Sequence, residues 1–544
     1  MPASLVSAPQ GVAPESAAFG HRRAPTLVLL LCCLDFAVLV YHATVRRVDA
    51  DEGFYTTAAR LVWQGKAPYK DFFYQQAPLL PYVYSWIWAI RPNSLVAMRI
   101  LSAVFCAAAT LLWGSGLLRV KTLPVRVALA TLLTILLDPY WISWNVVVKT
   151  FSFSNLMISI VLVALYAALH TGRSRWYFAA GLALGVCASA RSFYGPLIPA
   201  AFIWLLLRDR SRANVRYRAA AMFAAGAVLG LCPMILSFVH DPQAFLFNNI
   251  RYHSLQAGYL PQNGKIVVGY QNPGTALLTY LGFIFVLLLG LHPYFTIQAG
   301  LAVAGIVSVW KLRKRHDRLY SDQDYRYFEL TLSLTFVFVA TSLIAFPPYD
   351  QYFIAPLVPF FIPFLAEALR TATSPGKRII YVLAALVPLL LAYGLHREVW
   401  EYSRNPEWKM SSYRTITAAV KSSSNPGDVV LSLFPGYVFE SGRQYFPALE
   451  DQFTFRIMDK IGTEEAARYH IVSKGKILNA VSCGVAQVVV INRSSEYFNS
   501  LSLADIQNLQ AAINGNYSRM SEIDAVEVYR RRSSPGSSMP PRQQ

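Results

Sequence analysis

Apolar residues do not alternate with polar ones along most of this chain. They gather in runs of about 20, the length that crosses ~30 Å of hydrocarbon at 1.5 Å per residue. The runs predict membrane-spanning helices at 25–45, 95–118, 125–143, 151–170, 176–190, 195–208, 219–239, 294–311, 327–346, 351–371 and 379–395. Two further apolar stretches, 77–91 and 274–291, are long enough to cross or to lie along the surface. After residue 396 the pattern changes. A helix-like stretch near 407–422 is followed by strand-like runs at Val429–Phe434 and Gln487–Ile491, with Asn425-Pro426-Gly427-Asp428 as a turn before the first. The expected fold is an α-helical polytopic membrane protein of about 11 spans (range 10–13) with a small C-terminal α/β soluble domain over 396–530. Residues 1–24 and 531–544 read as disordered tails, the first cytoplasmic.

Composition agrees with the pattern. Of 544 residues, 55% are hydrophobic and 15% charged, against about 25% charged in soluble domains. The net charge of +19 does not point to nucleic acid, because the basic residues sit in short loops between apolar runs, where they fix orientation. Clusters at Arg22-Arg23, Arg119 to Arg126, Arg173-Arg175, Arg208 to Arg218, Lys311 to Arg318 and Lys377-Arg378 all fall on one side if eleven spans cross. Counting one of the two ambiguous stretches as a span breaks that parity, so both are expected to be interfacial or re-entrant. This topology places loop 46–94, loop 240–293, the turn 347–350 and everything after 396 outside the cytoplasm. The six cysteines show neither metal-ligand spacing nor a disulfide framework. The first apolar run is too long for a signal-peptide core and reads as a retained anchor.

The first outer loop carries the densest chemistry. It reads Val48-Asp49-Ala50-Asp51-Glu52-Gly53-Phe54-Tyr55, then Ala58-Ala59-Arg60, Gly65, Pro68-Tyr69-Lys70-Asp71 and Ala77-Pro78-Leu79-Leu80-Pro81-Tyr82. Three carboxylates within four residues, directly after a span, are expected to have at least one pKa raised by mutual repulsion and partial burial. A carboxylate held at the lipid boundary can take a proton from a hydroxyl. The same charges also suit the N-terminus of a helix at 53–65.

This ordered series resembles the GT-C superfamily of membrane glycosyltransferases. The closest branch is that of the protein O-mannosyltransferases and the lipid A aminoarabinose transferase, the family 39-like group. The matching positions are Asp51-Glu52, Tyr55, Ala59-Arg60, Gly65, Pro68-Tyr69-Lys70-Asp71 and Pro78-Leu79. The resemblance implies a polyprenyl-phosphate-linked sugar as donor and attack on its anomeric carbon by an acceptor hydroxyl of a glycan, lipid or protein. It implies Asp51 as general base, Glu52 as its orienting or acceptor-binding neighbour, and Asp49 as a further candidate. The expected setting is the bacterial plasma membrane, with the site facing the periplasm or exterior. Donor-phosphate or sugar-binding candidates are Lys70, Arg191, Arg251, His253, Tyr349 and Tyr352. Before the Pro-rich run at Pro356, Pro359 and Pro363 the family commonly has a polar or basic residue and a Tyr; here Asp350-Gln351 occupies that area without an Arg or Lys, a departure from the pattern for phosphate binding. No His/Asp/Glu cluster indicates a divalent metal, and metal dependence is left open.

Charges inside the spans need partners. Asp35 is expected to pair with Arg99, while Lys149 and Asp138 lie near span ends; His170 and His292 read as interfacial residues. Ser441-Gly442-Arg443-Gln444-Tyr445 in the C-terminal part reads as structural support, an acceptor site or a lid. Asn492-Arg493-Ser494 and Asn516-Tyr517-Ser518 fit the N-glycosylation pattern. Two other functional readings stay open: a transporter or flippase of a lipid-linked sugar, and a non-catalytic envelope-assembly subunit. The first class commonly has paired repeats and broken helices, neither of which the sequence displays.

Overall fold

A computed structural model describes residues 15–120, 122–208, 213–257, 293–315, 319–344, 352, 354–372 and 406–532. Among them five helices are long and apolar enough to cross a membrane: Arg23–Val45, Leu95–Arg119, Thr150–Thr171, Tyr294–Lys314 and Ile354–Thr371. Two bent pairs add to these, and the helices Ser174–Ala190, Leu197–Arg208 and Asp322–Ile344 pack beside them. The expected spans at 379–395 and the stretch 274–291 lie outside the described residues. The helix Ile354–Thr371 is the most deeply buried of the long ones despite Pro359 and Pro363 within it.

We number the helices from the N-terminus: α1 (Glu15–Val45), α2 (Ala50–Trp63), α3 (Leu79–Ser85), α4 (Ile87–Ile90), α5 (Leu95–Arg119), α6 (Val125–Leu136), α7 (Pro139–Asn145), α8 (Thr150–Thr171), α9 (Ser174–Ala190), α10 (Leu197–Arg208), α11 (Ala213–Gly230) and α12 (Cys232–His240). α1 begins inside the segment expected to be a disordered tail, its helix running back to Glu15 through residues of high helix propensity such as Ala17 and Ala18. The run 125–143 is not one straight span. It bends by 61° between α6 and α7, where Asp138 caps α7 and Pro139 opens it. The run 219–239 bends by 54° between α11 and α12, where Pro233 lies in the first turn. Proline removes the i→i−4 hydrogen bond that a straight helix needs. Broken helices are therefore present where the apolar pattern read as continuous. The stretch 77–91 forms α3 and α4, whose span Leu79–Ile90 rises only about 18 Å at 1.5 Å per residue, with Trp86 and Ile90 largely exposed.

α9 and α11 pack backbone to backbone. Gly181 and Gly185 on one helix face Gly226 and Gly230 on the other. A Cβ at any of the four would overlap a facing carbonyl oxygen: Phe223 or Ala227 for the first two, Phe178 or Leu182 for the others. Each helix thus carries the glycine-x-x-x-glycine spacing of close membrane packing. Gly181→Val is expected to splay the pair and lower the melting temperature in detergent by several degrees. Gly116→Ala, whose nearest neighbour would be at ordinary contact distance, is expected to melt like wild type. A size-exclusion melt of both variants checks this.

Residues 406–532 form a five-stranded sheet of order β2-β1-β3-β5-β4, with β1 (Val429–Ser432), β2 (Gln444–Tyr445), β3 (Val488–Asn492), β4 (Tyr517–Ile523) and β5 (Val526–Arg531). β1 runs parallel to β2 and β3, and β5 antiparallel to β3 and β4. All five residues of β3 are buried, as a central strand covered on both faces requires. β5 runs to Arg531, one residue beyond the expected domain edge, because Arg531 pairs with Tyr517 of β4. One apolar cluster joins this domain to residues 46–94, with Phe54, Tyr55, Tyr74 and Tyr84 packed among Tyr413, Phe434, Tyr437 and Val488. The sequon residue Asn492 is buried in β3, and Asn516 donates its amide to the Ser482 carbonyl; both side chains serve the fold.

Candidate active site

The acidic loop folds as the start of α2. Asp49 is its N-cap and accepts from the Asp51 N–H, while the Glu52 side chain accepts from the Asp49 N–H, completing a capping box. Glu52 is fully buried and filled. It receives Nε of Arg99 at 2.7 Å, Nη2 of Arg99 at 2.5 Å and the Val148 N–H at 3.0 Å. Arg99 also donates to the carbonyls of Ala43, Arg46 and Arg47. The Glu52–Arg99 pair therefore ties the end of α1, the start of α2 and the approach to α8 together. This corrects the expected Asp35–Arg99 pair; Asp35 instead accepts from the Thr110 hydroxyl at 3.0 Å.

Asp49 and Asp51 both turn toward Lys149. Its ammonium lies 2.7 Å from Asp49 Oδ1 and 2.8 Å from Asp51 Oδ2, and 4.9 Å from the centre of the Trp144 ring. Lys149 is 3% exposed, Asp49 17% and Asp51 29%, so Asp51 is the member of the cluster that solvent or substrate can reach. Burial pushes the Asp51 carboxyl above the ordinary range, Lys149 works against it, and the Asp49 charge adds to it. Asp49 is held below the ordinary range: burial opposes this, but Lys149 and Arg46 prevail. Burial likewise opposes the charge on Lys149, and the two aspartates raise its pKa nonetheless. Two adjacent carboxylates are thus driven apart, one firmly ionised and one a better proton acceptor, the division of labour that acid–base sites use.

Around Asp51 stand side chains from distant parts of the chain. Tyr55, one turn on in α2, is buried; burial raises its pKa, the Asp51 charge adds to this, and Arg191 works against it. Arg191 ends α9. Its Nη1 donates to the Thr150 hydroxyl at 2.7 Å, and its guanidinium lies over the rings of Phe151 (5.0 Å), Phe193 (4.7 Å) and Tyr352 (4.7 Å). Among the described residues no carboxylate pairs with it, and the remaining donors of its planar fork suit a phosphate. Asp451 comes from the C-terminal domain. It accepts from the Phe453 N–H at 2.8 Å and from the Gln75 amide at 3.2 Å. The neighbouring Gln452 donates to the Ala50 carbonyl at the start of α2, which seats the domain on the loop.

The other sequence candidates are distributed as follows. His253 contacts the Gln75 carbonyl at 3.0 Å and Gln256, and burial lowers its pKa, which keeps it neutral at pH 7. Arg251 is exposed and paired with Glu465 of the C-terminal domain. Lys70 is exposed, its carbonyl 2.8 Å from His470; its neighbour Tyr69 takes a positive φ of 71° in the tight turn that Pro68 opens. Tyr349 lies outside the described residues. Among the described residues no group of three His, Cys, Asp or Glu side chains is arranged to hold a metal ion. The bridging role of Lys149 had a sequence signal, a charge at the start of an apolar run; Asp451 and Gln75 had none.

Burial raises the Asp451 carboxyl to about 7, with the Asp51 charge adding to the effect. The folded protein then holds a proton that the unfolded chain releases near pH 4. The resulting stabilisation is complete below that ordinary pKa and is lost as pH rises through 7. Wild type is therefore expected to melt higher at pH 5 than at pH 8, and Asp451→Asn to narrow that gap, as read from parallel melts across the range.

α8 has Lys149 at its first end and His170 at its last, where His170 meets Asp324 at 3.0 Å. Its 22 residues separate the two ends by about 33 Å at 1.5 Å per residue, so the acidic cluster and the His170–Asp324 contact lie at opposite ends of this helix.

Comparisons with known proteins agree with this architecture. Residues 75–237 match the family described as dolichyl-phosphate-mannose-protein mannosyltransferase, a match that spans well under half of the chain. The crystal structure of ArnT from Cupriavidus metallidurans bound to undecaprenyl phosphate aligns with a TM-score of 0.60 at 14% identity, covering 93% of this chain and 98% of that one. The apo structure of the same protein aligns with a TM-score of 0.50 at 15% identity, covering 93% and 97%. Among curated proteins, none matches in sequence. The long apolar helices, the C-terminal sheet domain and this end-to-end alignment together identify the chain as a multi-pass membrane protein with the GT-C glycosyltransferase fold.

Proposed function

We propose that the protein is an inverting glycosyltransferase that moves a sugar from a polyprenyl-phosphate donor to an acceptor hydroxyl at the non-cytoplasmic face of a bacterial plasma membrane. The observation that carries this reading is the Asp49–Lys149–Asp51 cluster, a buried ion triad whose more accessible member, Asp51, has its pKa raised by burial. Asp51 is thus a carboxylate that is both raised in pKa and reachable. A general base needs both properties.

In the proposed reaction the acceptor oxygen attacks the anomeric carbon while its proton passes to Asp51. The bond from that carbon to the phosphate oxygen breaks, its electron pair leaves with polyprenyl phosphate, and the anomeric configuration inverts. Lys149 holds Asp51 in place and offsets the charge of Asp49. Arg191, with Tyr352 and Tyr55 beside it, stabilises the charge that develops on the leaving phosphate. The solved ArnT structure bound to undecaprenyl phosphate supports a lipid of this class. Glu52 acts as a positioning residue through Arg99.

The experiment uses proteoliposomes loaded with polyprenyl-phosphate sugars and supplied with candidate acceptors on each side. Glycosylated acceptor together with free polyprenyl phosphate is the expected result. Passage of intact donor across the bilayer without cleavage would replace this reading with the flippase reading, which the bent α6–α7 and α11–α12 pairs make worth testing.

A further inference from the structure

A second cleft opens where α2 ends and the C-terminal domain begins. Its cavity volume is about 560 Å³. From α2 and the turn after it come Arg60, Gln64, Lys66 and Asp71; from the C-terminal domain come Gln444, Tyr445, Glu450, His470 and Lys476. Arg60 is nine positions beyond Asp51 in α2, about 13 Å along the helix and on its other side, so the cleft is separate from the acidic cluster.

Arg60 is the unusual group here. It is 7% exposed, with its guanidinium between the rings of Trp88 (5.6 Å) and Tyr445 (5.0 Å). Nη2 makes a long hydrogen bond to the Gly442 carbonyl at 3.4 Å, and the Tyr445 hydroxyl also interacts with the guanidinium. Nε and Nη1 are buried and have no acceptor, and no carboxylate forms an ion pair with Arg60 among the described residues. A buried guanidinium is normally matched by an oxyanion, and leaving its donors unfilled is unfavourable. The segment Ser441–Tyr445 that stood out in the sequence builds this wall. Arg443 within it is fixed by Ser424 and Lys421, so the segment is rigid and Tyr445 is held against Arg60.

The rim is mixed. Lys66 and Lys476 are exposed cations, and Asp71 already accepts from the Ala67 N–H at 2.7 Å. Glu450 faces Lys66 and His470. Gln64 and Gln444 add amides. Cations alone would suit any polyanion. Carboxylates and amides interleaved with one buried arginine suit a ligand with hydroxyls and a single negative group.

We propose that this cleft binds a saccharide bearing one oxyanion, phosphate or carboxylate, with the anion on Arg60 and the hydroxyls on the polar rim. The site stands whether or not Asp51 is the catalytic base. The test is calorimetric titration of the full-length protein in lipid nanodiscs with glucose 6-phosphate, glucuronate, glucose and inorganic phosphate, in neutral and in anionic lipid. The expected result is binding of the two charged sugars at least tenfold tighter than glucose and tighter than inorganic phosphate. Arg60→Gln should abolish it, the surface variant Lys66→Gln/Lys476→Gln should weaken it at least threefold, and Asp51→Asn should leave it unchanged. Weakening of the charged sugars in anionic lipid would place a lipid headgroup as the natural carrier of the anion, and equal binding in both lipids a soluble one. Equal binding of glucose and glucuronate, binding of inorganic phosphate as tight as that of the sugar phosphate, or no effect of the double rim variant would overturn the proposal.

Discussion

Asp51→Asn is expected to slow sugar transfer by about 10²–10⁴-fold, the usual contribution of a positioned general base, with little change in donor binding. Asparagine keeps the shape and can still accept from Lys149, so the fold at the start of α2 should persist. What it lacks is a carboxylate able to take the acceptor proton. Asp49→Asn is expected to be milder, because Asp49 is the firmly ionised partner and acts on Asp51 through Lys149, its own charge and the cap hydrogen bond from the Asp51 N–H, which asparagine can still accept. It should also move the pH profile. Without the neighbouring negative charge the Asp51 carboxyl falls toward its ordinary range, and the acid limb of the profile shifts to lower pH. A rate–pH series on wild type and both variants reads the two effects separately. A purely structural acidic cap would give equal, pH-independent losses.

Glu52→Ala is expected to destabilise the protein by about 3–5 kcal/mol, the cost of stripping one partner from a buried ion pair. The reason lies in what remains. Arg99 is fully buried, and without Glu52 its charge loses the buried carboxylate it is paired with. The Val148 and Asp49 N–H groups lose their acceptor as well. The paired replacement Glu52→Gln with Arg99→Met removes the orphaned charge and should recover part of the loss. Denaturant melts of the single and double variants measure the coupling. By contrast, breaking the exposed Arg251–Glu465 pair should change stability by less than about 1 kcal/mol.

The sequence pattern and the structure agree where physics is local. The apolar runs that fall within the described residues form helices, two of them bent, and the turn at Asn425–Asp428 forms as its residues require, with Asp428 N–H reaching the Asn425 carbonyl. The acidic series became a capping box because Asp49 and Glu52 stand three apart. Bends were legible in principle, since Pro139 and Pro233 mark them, but hydropathy averages over a proline. The glycine spacing at Gly181/Gly185 and Gly226/Gly230 was likewise present and shows its meaning only when the two helices are laid together. Three-dimensional partners were not legible. Lys149 lies about a hundred positions from Asp49 and Asp51, and Arg99 about fifty from Glu52. Asp35 offered a carboxylate at a similar hydropathic depth, yet the register of α1 against α5 places it beside Thr110 instead. Asp451 and the Arg60 cleft depend on how the C-terminal domain seats on the loop, and no local pattern encodes that contact.

The central claim is that Asp51 drives cleavage of a polyprenyl-phosphate sugar by an acceptor hydroxyl. Its most direct test is the stoichiometry of released polyprenyl phosphate against glycosylated acceptor, with purified wild type and Asp51→Asn side by side. The expected result is one lipid phosphate released per sugar transferred by wild type, product of inverted anomeric configuration, and neither product above background from the variant. Equal release by the variant, or retained configuration in the product, would contradict it.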